Sequence, residues 1–259
     1  MKSLIYGNGE SRQVWDVTKK YKGFTTWGCN AIYRDAVVDN LVAIDYGIQQ
    51  EIYESGYAIT NHCYFADWAK LEDFDPEFLK MKYTPMDIHE TKKNDGTSCV
   101  VQGKERETAE KNYEEMITQF PHLDKDDVKA KCYNNVGLYI TWVKERDSVD
   151  YIEYPREWCA GATAMHLSCQ EGSDEVYMLG FDLSEYDEPI NNIYKGTKNY
   201  LSETSRGFNT DNWTTQLIQV FKDFPETQFY WVVEDNASPL VCENVQSITY
   251  KKLDKLCEV

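Results

Sequence analysis

Short apolar runs that end in glycine, asparagine or aspartate recur along the chain and most constrain its fold. In the first part of the sequence these runs are LIY at 4–6 followed by GNG, FTTWGCN at 24–30, and LVAID at 41–45. Strand-like runs with turn residues at their ends are typical of parallel sheets, whose strands share one C-terminal edge. The sequence therefore predicts an α/β domain with Asn8, Asn30 and Asp45 at that edge.

Two glycines, Gly7 and Gly9, lie in the turn that follows the first apolar run. Glycine permits tight turns and the close approach of another backbone or of a phosphate. A strand that ends in a glycine turn opens many nucleotide-binding domains, although a plain turn is an alternative interpretation. A dinucleotide-binding fingerprint needs a third glycine, and Arg12 stands at that position. An NAD-dependent oxidoreductase is therefore disfavoured.

The second half of the chain continues the alternation of strands and helices. Residues 57–65 and 136–143 have the composition of strands, and the apolar residues within 157–172 recur at helical spacing. Residues 175–183 form a strand-like run that contains Gly180 and Asp182 near its end. We predict a single Rossmann-like α/β domain over residues 1–259, with a mainly parallel sheet, helices on both faces and a small lid.

Two segments depart from this alternation. Residues 86–130 are rich in charge, and we predict that they form a peripheral helical insertion with a helix over 104–120. Residues 184–208 are polar and aromatic without periodicity, which is typical of a lid over a site. The helix behind the lid has Thr210 or Asp211 as its candidate N-cap.

Composition limits the partners of the chain. Its 259 residues include 27 basic and 44 acidic residues, a formal charge of −17, which argues against nucleic acid as a partner. The eight cysteines contain no C-x-x-C pair, and the D-x-D triplets at 73–75 and 124–126 follow no apolar strand, so no metal site is predicted. No apolar stretch is long enough for a membrane anchor, which predicts a cytoplasmic protein. The composition is compatible with a monomer and with a homo-oligomer.

Five motifs, in order along most of the chain, resemble glycosyltransferase family 42, the bacterial sialyltransferases that take their sugar from a CMP donor. The family motifs read GNGPSL, CNQFYFED, T-S-G, IYLSGIDFY and N-T-D. The counterparts here are GNGESR at 7–12, CNAIYRD at 29–35, CAG at 159–161, VYMLGFDL at 176–183 and NTD at 209–211. The chain also resembles proteins of tailed marine phages, which implies the cytoplasm of an infected host cell.

The resemblance implies a nucleotide-sugar donor site that needs neither metal nor cofactor. It places Asn8 and Asn30 beside the donor phosphate and the reacting sugar. It also places a helix start at the ribose and phosphate, and a strand end at the nucleoside. A helix N-terminus does offer free N–H groups and a positive dipole end to a phosphate. The predicted donor-binding residues are Gly7, Asn8, Gly9, Asn30, Asp45, Ala160, Gly161, Gly180 and Asp182.

The chain departs from the family at three positions. Ala160 replaces the serine of T-S-G, and Ser184 replaces the first lid tyrosine. The lid histidine that serves as general base in the family falls at Arg206. Arginine stays protonated and cannot take a proton from an acceptor hydroxyl, but it can stabilise a leaving phosphate.

Other residues must then supply the missing chemistry. We predict that the phenols of Tyr186 and Tyr194 contact the leaving phosphate. Asp211 is the predicted base, with Glu203 or a histidine elsewhere as alternatives. Capping of the helix that follows is the competing interpretation of Asp211.

The sequence thus predicts a glycosyltransferase that moves a sugar from a nucleotide donor, CMP-linked, to an unidentified hydroxyl acceptor. A first alternative is a nucleotide- or sugar-phosphate-binding protein that kept the fold and lost the base, because of Ala160 and Arg206. A second is a phage glycosyltransferase that acts on a modified DNA base, which the acidic charge disfavours. A basic cleft that includes Arg206 and Lys195 would favour it.

Overall fold

The structure is a computed structural model that describes residues 1–66, 97–104, 106–133, 137–144, 148–152, 158–183, 188–207, 209–234 and 240–257. The chain divides into two compact units. The first comprises residues 1–66 and 147–259, and the second comprises residues 67–146.

Ten strands and six α-helices lie within the described residues. The strands are β1 (Lys2–Tyr6), β2 (Phe24–Cys29), β3 (Asn40–Ala43), β4 (Cys63–Ala66), β5 (Thr97–Lys104), β6 (Gly137–Lys144), β7 (Val149–Ile152), β8 (Glu175–Leu179), β9 (Gln228–Val233) and β10 (Val245–Thr249). The helices are α1 (Tyr46–Glu54), α2 (Arg106–Gln119), α3 (Lys125–Cys132), α4 (Ala160–Gln170), α5 (Asp211–Asp223) and α6 (Tyr250–Cys257).

The first unit is built on one eight-stranded sheet in which every pair of neighbouring strands is parallel. The order across the sheet is β10-β9-β8-β1-β2-β3-β4-β7. The chain moves outward from β1 to β7 on one side and then returns to add β8, β9 and β10 on the other. The order reverses between β1 and β8, and open parallel sheets bind ligands beyond the C-terminal ends of the strands at such a point.

Helices cover both faces of this sheet, and the predicted α/β class is confirmed. Leu4 and Tyr6 of β1 belong to the core under α1 and α6, whereas Ile5 belongs to the core under α4 and α5. Because β1 is buried on both faces, its sequence is a continuous apolar run rather than an alternating one.

The predicted strand over 57–65 is wrong in its first half. Tyr57–Ile59 form a 3₁₀ turn behind Gly56, which has φ 78°, and β4 begins only at Cys63. The ring of Tyr57 is buried, and its hydroxyl accepts a hydrogen bond from the N–H of Val38 at 3.1 Å. The turn thus places the Tyr57 side chain in the core.

The second unit contains a hairpin as well as helices. β5 pairs with β6 in antiparallel register, from Thr97 opposite Lys144 to Lys104 opposite Gly137. The stretch at 136–143 therefore does not continue the alternating pattern of the main sheet. The predicted helix over 104–120 corresponds to α2, while residues 86–96 of the predicted insertion lie outside the described residues.

One D-x-D triplet has a local structural role. The Asp124 carboxylate caps α3, because it accepts hydrogen bonds from the N–H groups of Asp126 and Asp127 at 2.9 and 3.0 Å. The triplet at 73–75 lies outside the described residues. Among the residues that the structure describes, no helix is both long and apolar enough to cross a bilayer.

Candidate functional site

A cavity of about 160 Å³ lies at the C-terminal edge of the sheet, where the strand order reverses. Every predicted donor-binding residue except Asp45 lines it: Gly7, Asn8, Gly9, Asn30, Ala160, Gly161, Gly180 and Asp182. The ends of β1, β2 and β8 meet there with the start of α4. Residues that are up to 175 positions apart in the sequence are thus brought to one site by the parallel topology.

The glycine turn after β1 serves the approach of the neighbouring strand end. The N–H groups of Gly7 and Gly9 donate to the carbonyls of Leu179 and Gly180 at 2.8 and 2.9 Å. A Cβ on Gly9 would lie 2.5 Å from Cγ of Asp182, and one on Gly7 would lie 2.5 Å from the Gly180 carbonyl oxygen. Gly9 has φ −66°, so contact rather than backbone conformation requires glycine. Because both N–H groups are used, a bound phosphate must find its donors elsewhere.

Asp182 fastens the same two loops together. Its carboxylate accepts a hydrogen bond from the N–H of Ser11 at 2.9 Å and another from the Ser11 hydroxyl. Asp182 is half-buried, and an ionised carboxylate has about four acceptor positions. The Asp182 carboxylate therefore keeps acceptor positions that the hydroxyls of a ligand can use.

The start of α4 supplies the positive side of the cavity. Cys159 is its N-cap, and its Sγ accepts from the N–H of Ala162 at 3.5 Å. The N–H of Cys159 itself is held by Oε1 of Gln216 on α5 at 2.8 Å. The N–H groups of Ala160 and Gly161 have no carbonyl to accept them within the helix, and they stand at its positive dipole end. These are the donors that the glycine turn does not provide.

Two asparagines on the cavity wall carry buried, unpaired oxygens. Oδ1 of Asn8 and Oδ1 of Asn30 are inaccessible to solvent and have no hydrogen-bond partner among the described residues. Asn30 also adopts φ 51°, in the left-handed region that costs a side chain free energy. A buried unsatisfied polar group costs about 1–3 kcal/mol, so both residues are in an unfavourable state in the free protein.

The segment 188–207, the described part of the predicted lid, is anchored over this edge. Nδ2 of Asn8 donates to the hydroxyl of Tyr200 at 3.3 Å, and the N–H of Ala31 donates to the same oxygen at 3.3 Å. Burial raises the pKa of Tyr200, so its phenol is neutral. The guanidinium of Arg34 donates to Oγ1 of Thr197 at 2.8 Å and to the carbonyl of Lys198 at 3.0 Å.

Glu51 holds the same segment from α1. Its carboxylate accepts from Nε of Arg34 at 2.7 Å, from Nδ2 of Asn199 at 2.7 Å and from the hydroxyl of Tyr33. Burial alone would raise the pKa of Glu51, but these hydrogen bonds outweigh it and lower the pKa. The charged carboxylate is therefore part of the anchor.

Of the predicted catalytic residues, those that the structure describes do not line the cavity. Tyr194 is buried, and its hydroxyl donates to Oδ2 of Asp35 at 2.5 Å and accepts from Nη2 of Arg12 at 3.2 Å. Arg206 is exposed and forms a backbone bridge with Pro189. Tyr186, like Ser184, lies outside the described residues.

Asp211 is exposed at the first residue of α5. Its N–H donates to Oδ1 of Asn209 at 2.8 Å, and the side chain of Thr210, at the N-cap position, makes no capping bond. Thr210 therefore occupies the N-cap position that was predicted for it or for Asp211, but the side-chain acceptor at this helix start comes from Asn209. Trp213, from the same turn, lines the cavity.

Asp45 lies at the end of β3, in the N-cap position of α1, but its side chain makes no capping bond. The residue is exposed, yet the protein around it desolvates the carboxyl and raises its pKa. Cys159 lines the cavity. Burial raises the pKa of the Cys159 thiol most, and the negative charge of Asp45 raises this pKa further. Asp45 therefore lies close to the cavity without forming its wall.

Sequence reasoning missed half of the lining. The further lining residues are Cys29, Cys159, Phe181, Leu183, Asn191, Asn192, Trp213 and Leu217. Phe181 stands between the predicted Gly180 and Asp182, so the motif contained a signal for it. Asn191, Asn192 and Trp213 carried no such signal, since their place depends on how the segment after β8 and the start of α5 fold over the edge.

Comparisons of the chain with protein-family models, with curated proteins and with solved structures found no match. The resemblance to glycosyltransferase family 42 therefore stays a prediction that rests on the five motifs.

Proposed function

We propose that the chain is a glycosyltransferase that moves a sugar from a CMP-linked donor to a hydroxyl acceptor. The observation that carries this proposal is the convergence of the predicted donor residues on one cavity at the point where the strand order reverses. That place is where open parallel sheets bind nucleotides.

The polar groups around the cavity suit the parts of such a donor. The N–H groups of Ala160 and Gly161 at the start of α4 suit the phosphate. The remaining acceptor positions of Asp182 suit the ribose hydroxyls. Phe181 and Trp213 offer aromatic faces to the base.

The leaving group also fits this arrangement. When the bond between the anomeric carbon and the phosphate breaks, negative charge grows on the phosphate oxygen. Fixed N–H donors at a helix start stabilise such charge in the transition state without reorganising. No lysine or arginine lines the cavity among the described residues, so in this proposal the helix start carries that task.

A nucleotide-binding protein without catalysis is the second candidate. The observation in its favour is that neither a histidine nor the predicted base Asp211 lines the cavity among the described residues. The two candidates differ in one outcome: a transferase hydrolyses its donor slowly in the absence of acceptor, and a binding protein does not.

The first experiment is a thermal-shift panel of CMP, UMP, AMP, GMP and NAD. We expect CMP to raise the melting temperature most, because a ligand that binds only the native state stabilises it. Phe181→Leu should reduce this shift, and Val241→Ala, at a side chain that is 96 % exposed, should not. Hydrolysis of CMP-N-acetylneuraminic acid is then measured.

CMP binding with donor hydrolysis supports the transferase. CMP binding without hydrolysis favours the binding protein. An equal shift with all five nucleotides rejects the CMP-linked donor, and no shift with any of them rejects both candidates.

A further inference from the structure

Transfer to a hydroxyl needs a group that accepts the hydroxyl proton, and this inference rests on the proposed transferase. Among the described lining residues the only carboxylate is Asp182, which is held by two hydrogen bonds from Ser11. The Asp35 carboxylate accepts a hydrogen bond from the Tyr194 hydroxyl, and Glu10 pairs with Lys195 at 2.7 Å. These acids are engaged in structural contacts.

Asp45 differs from these acids in its contacts. It stands where an aspartate usually caps the helix, but its side chain does not bond to the first turn of α1. Its carboxylate is therefore not occupied by a capping hydrogen bond to that turn. It lies instead within electrostatic reach of Cys159, the cavity residue that starts α4.

The position of β3 also matters. β3 lies next to β2, and Cys29 at the end of β2 pairs with Val42. The cavity runs from Asp182 after β8, past Asn8 after β1, to Asn30 after β2. Asp45, after β3, is the next strand end in this row. In the proposed function the nucleoside lies at β8 and the phosphate at α4, which leaves the side toward β3 for the sugar.

The geometry points to Asp45 as the general base of the transfer. The acceptor hydroxyl gives its proton to a carboxylate oxygen of Asp45 while its oxygen forms a bond to the anomeric carbon of the donor sugar. The bond between that carbon and the phosphate oxygen breaks, and its electron pair leaves with CMP. The proton on Asp45 then passes to water. No co-reactant is required.

The surroundings of Asp45 favour this role. Desolvation raises the pKa of the carboxyl, which makes its ionised form a stronger base. Burial, together with the negative charge of Asp45, raises the pKa of the Cys159 thiol at the N-cap of α4, so this thiol stays protonated at neutral pH and does not compete for the proton. Within α1, the Glu51 carboxylate is bonded to Arg34.

The test compares Asp45→Asn and Asp45→Glu with Asp254→Asn, which changes an exposed aspartate on α6. Hydrolysis of CMP-N-acetylneuraminic acid is followed as kcat and KM, and CMP binding as a thermal shift. We expect Asp45→Asn to lower kcat by about 10²- to 10⁴-fold while KM and the CMP shift stay within about threefold. Asp45→Glu should restore part of the turnover, and Asp254→Asn should match the wild type.

The pH profile separates a base from a merely structural residue. In the wild type, turnover should fall as the pH drops through the pKa of Asp45, because the protonated carboxyl cannot take a proton. The residual turnover of Asp45→Asn should not show this fall at low pH.

The outcomes also separate this inference from the proposed function. Normal turnover in Asp45→Asn overturns the base and leaves the transferase. Joint loss of turnover and CMP binding makes Asp45 a binding residue, which also overturns it. A wild type that binds CMP but hydrolyses no donor rejects the transferase and the base with it.

Discussion

Nδ2 of Asn8 donates a hydrogen bond to the phenol oxygen of Tyr200 at 3.3 Å and so joins the turn after β1 to segment 188–207. The N–H of Ala31 donates to the same oxygen. Tyr200→Phe would leave both donors without this acceptor and would free the Asn8 amide to rotate. We expect a loss of about 1–3 kcal/mol in the free energy of unfolding, together with weaker CMP binding. Denaturant unfolding and the CMP thermal shift measure the two effects.

The control is Tyr21→Phe. The Tyr21 hydroxyl donates to the carbonyl of Asp16 at 2.7 Å at an exposed position that does not line the cavity. Its loss should leave the CMP shift unchanged. If Tyr200→Phe and Tyr21→Phe bind CMP equally well, Tyr200 does not orient the asparagine.

Gly9→Ala tests whether the glycine turn is required by contact. The added Cβ would lie 2.5 Å from Cγ of Asp182 and 2.8 Å from the Gly180 carbonyl oxygen, although φ −66° suits alanine. Overpacking of this kind costs about 1–3 kcal/mol. Since Asp182 would have to move, the CMP shift should also fall.

Gly23→Ala is the matched control. Gly23 has φ 81°, and a Cβ there would meet nothing within 4 Å. Gly23→Ala should lower the free energy of unfolding by about 1 kcal/mol, because alanine is strained in the left-handed conformation. The substitution should not change CMP binding. A Gly9→Ala protein with wild-type stability and CMP binding would refute the close-packing explanation.

The strand ends of the cavity could be predicted because they depend on local pattern and on one topological rule. Apolar runs followed by Gly7, Asn30 or Gly180 mark strand ends, and parallel strands share an edge. What Gly9 packs against could not be predicted, since glycine alone does not say whether a phosphate or a backbone approaches. The answer depends on a strand about 170 positions later in the sequence.

Contacts between distant segments account for the rest. Tyr200 reaches Asn8 across 192 positions, and no local pattern marks that tyrosine among its neighbours. The strand-like run of β6 was recognised, but β5 lies within the segment 86–130 that was predicted to be a helical insertion, so the separate hairpin of β5 and β6 was missed. Thr210 is the N-cap of α5, but the sequence did not show that Asn209 supplies the side-chain acceptor, because all three polar residues at 209–211 can do so and only the backbone conformation decides.

Glu51→Gln should loosen segment 188–207 in a pH-dependent manner. Because the pKa of Glu51 is lowered in the folded protein, its contribution to stability is present above the unfolded pKa of about 4.3 and disappears as the pH falls through the folded pKa. At pH 7 the free energy of unfolding of the variant should be lower by about 1.5–3 kcal/mol, as expected for the loss of hydrogen bonds to a charged group. Denaturant unfolding at pH 7 and at pH 3 should show the difference from the wild type shrinking at the lower pH.

Glu54→Gln provides the control for this measurement. Glu54 is exposed on the same helix and lies 3.9 Å from Lys198. Exposed pairs are worth about 0–1 kcal/mol, so the variant should change little at either pH. If Glu51→Gln and Glu54→Gln lower the free energy of unfolding equally, the Glu51 carboxylate does not anchor segment 188–207.

Asn30→Gly should stabilise the free protein and weaken the bound state. The substitution removes a buried oxygen that has no partner among the described residues, and it relieves the strain of φ 51°. These costs together are about 2–5 kcal/mol at most, so a gain of about 1–3 kcal/mol is expected after the lost packing is subtracted. Asn30→Ala is the comparison, because it removes the same oxygen but keeps a side chain in the left-handed region. We expect Asn30→Ala to be less stable than Asn30→Gly and both to bind CMP more weakly than the wild type. If Asn30→Gly instead unfolds at a lower temperature and binds CMP normally, the asparagine is a structural turn residue, and its strained conformation does not serve the ligand.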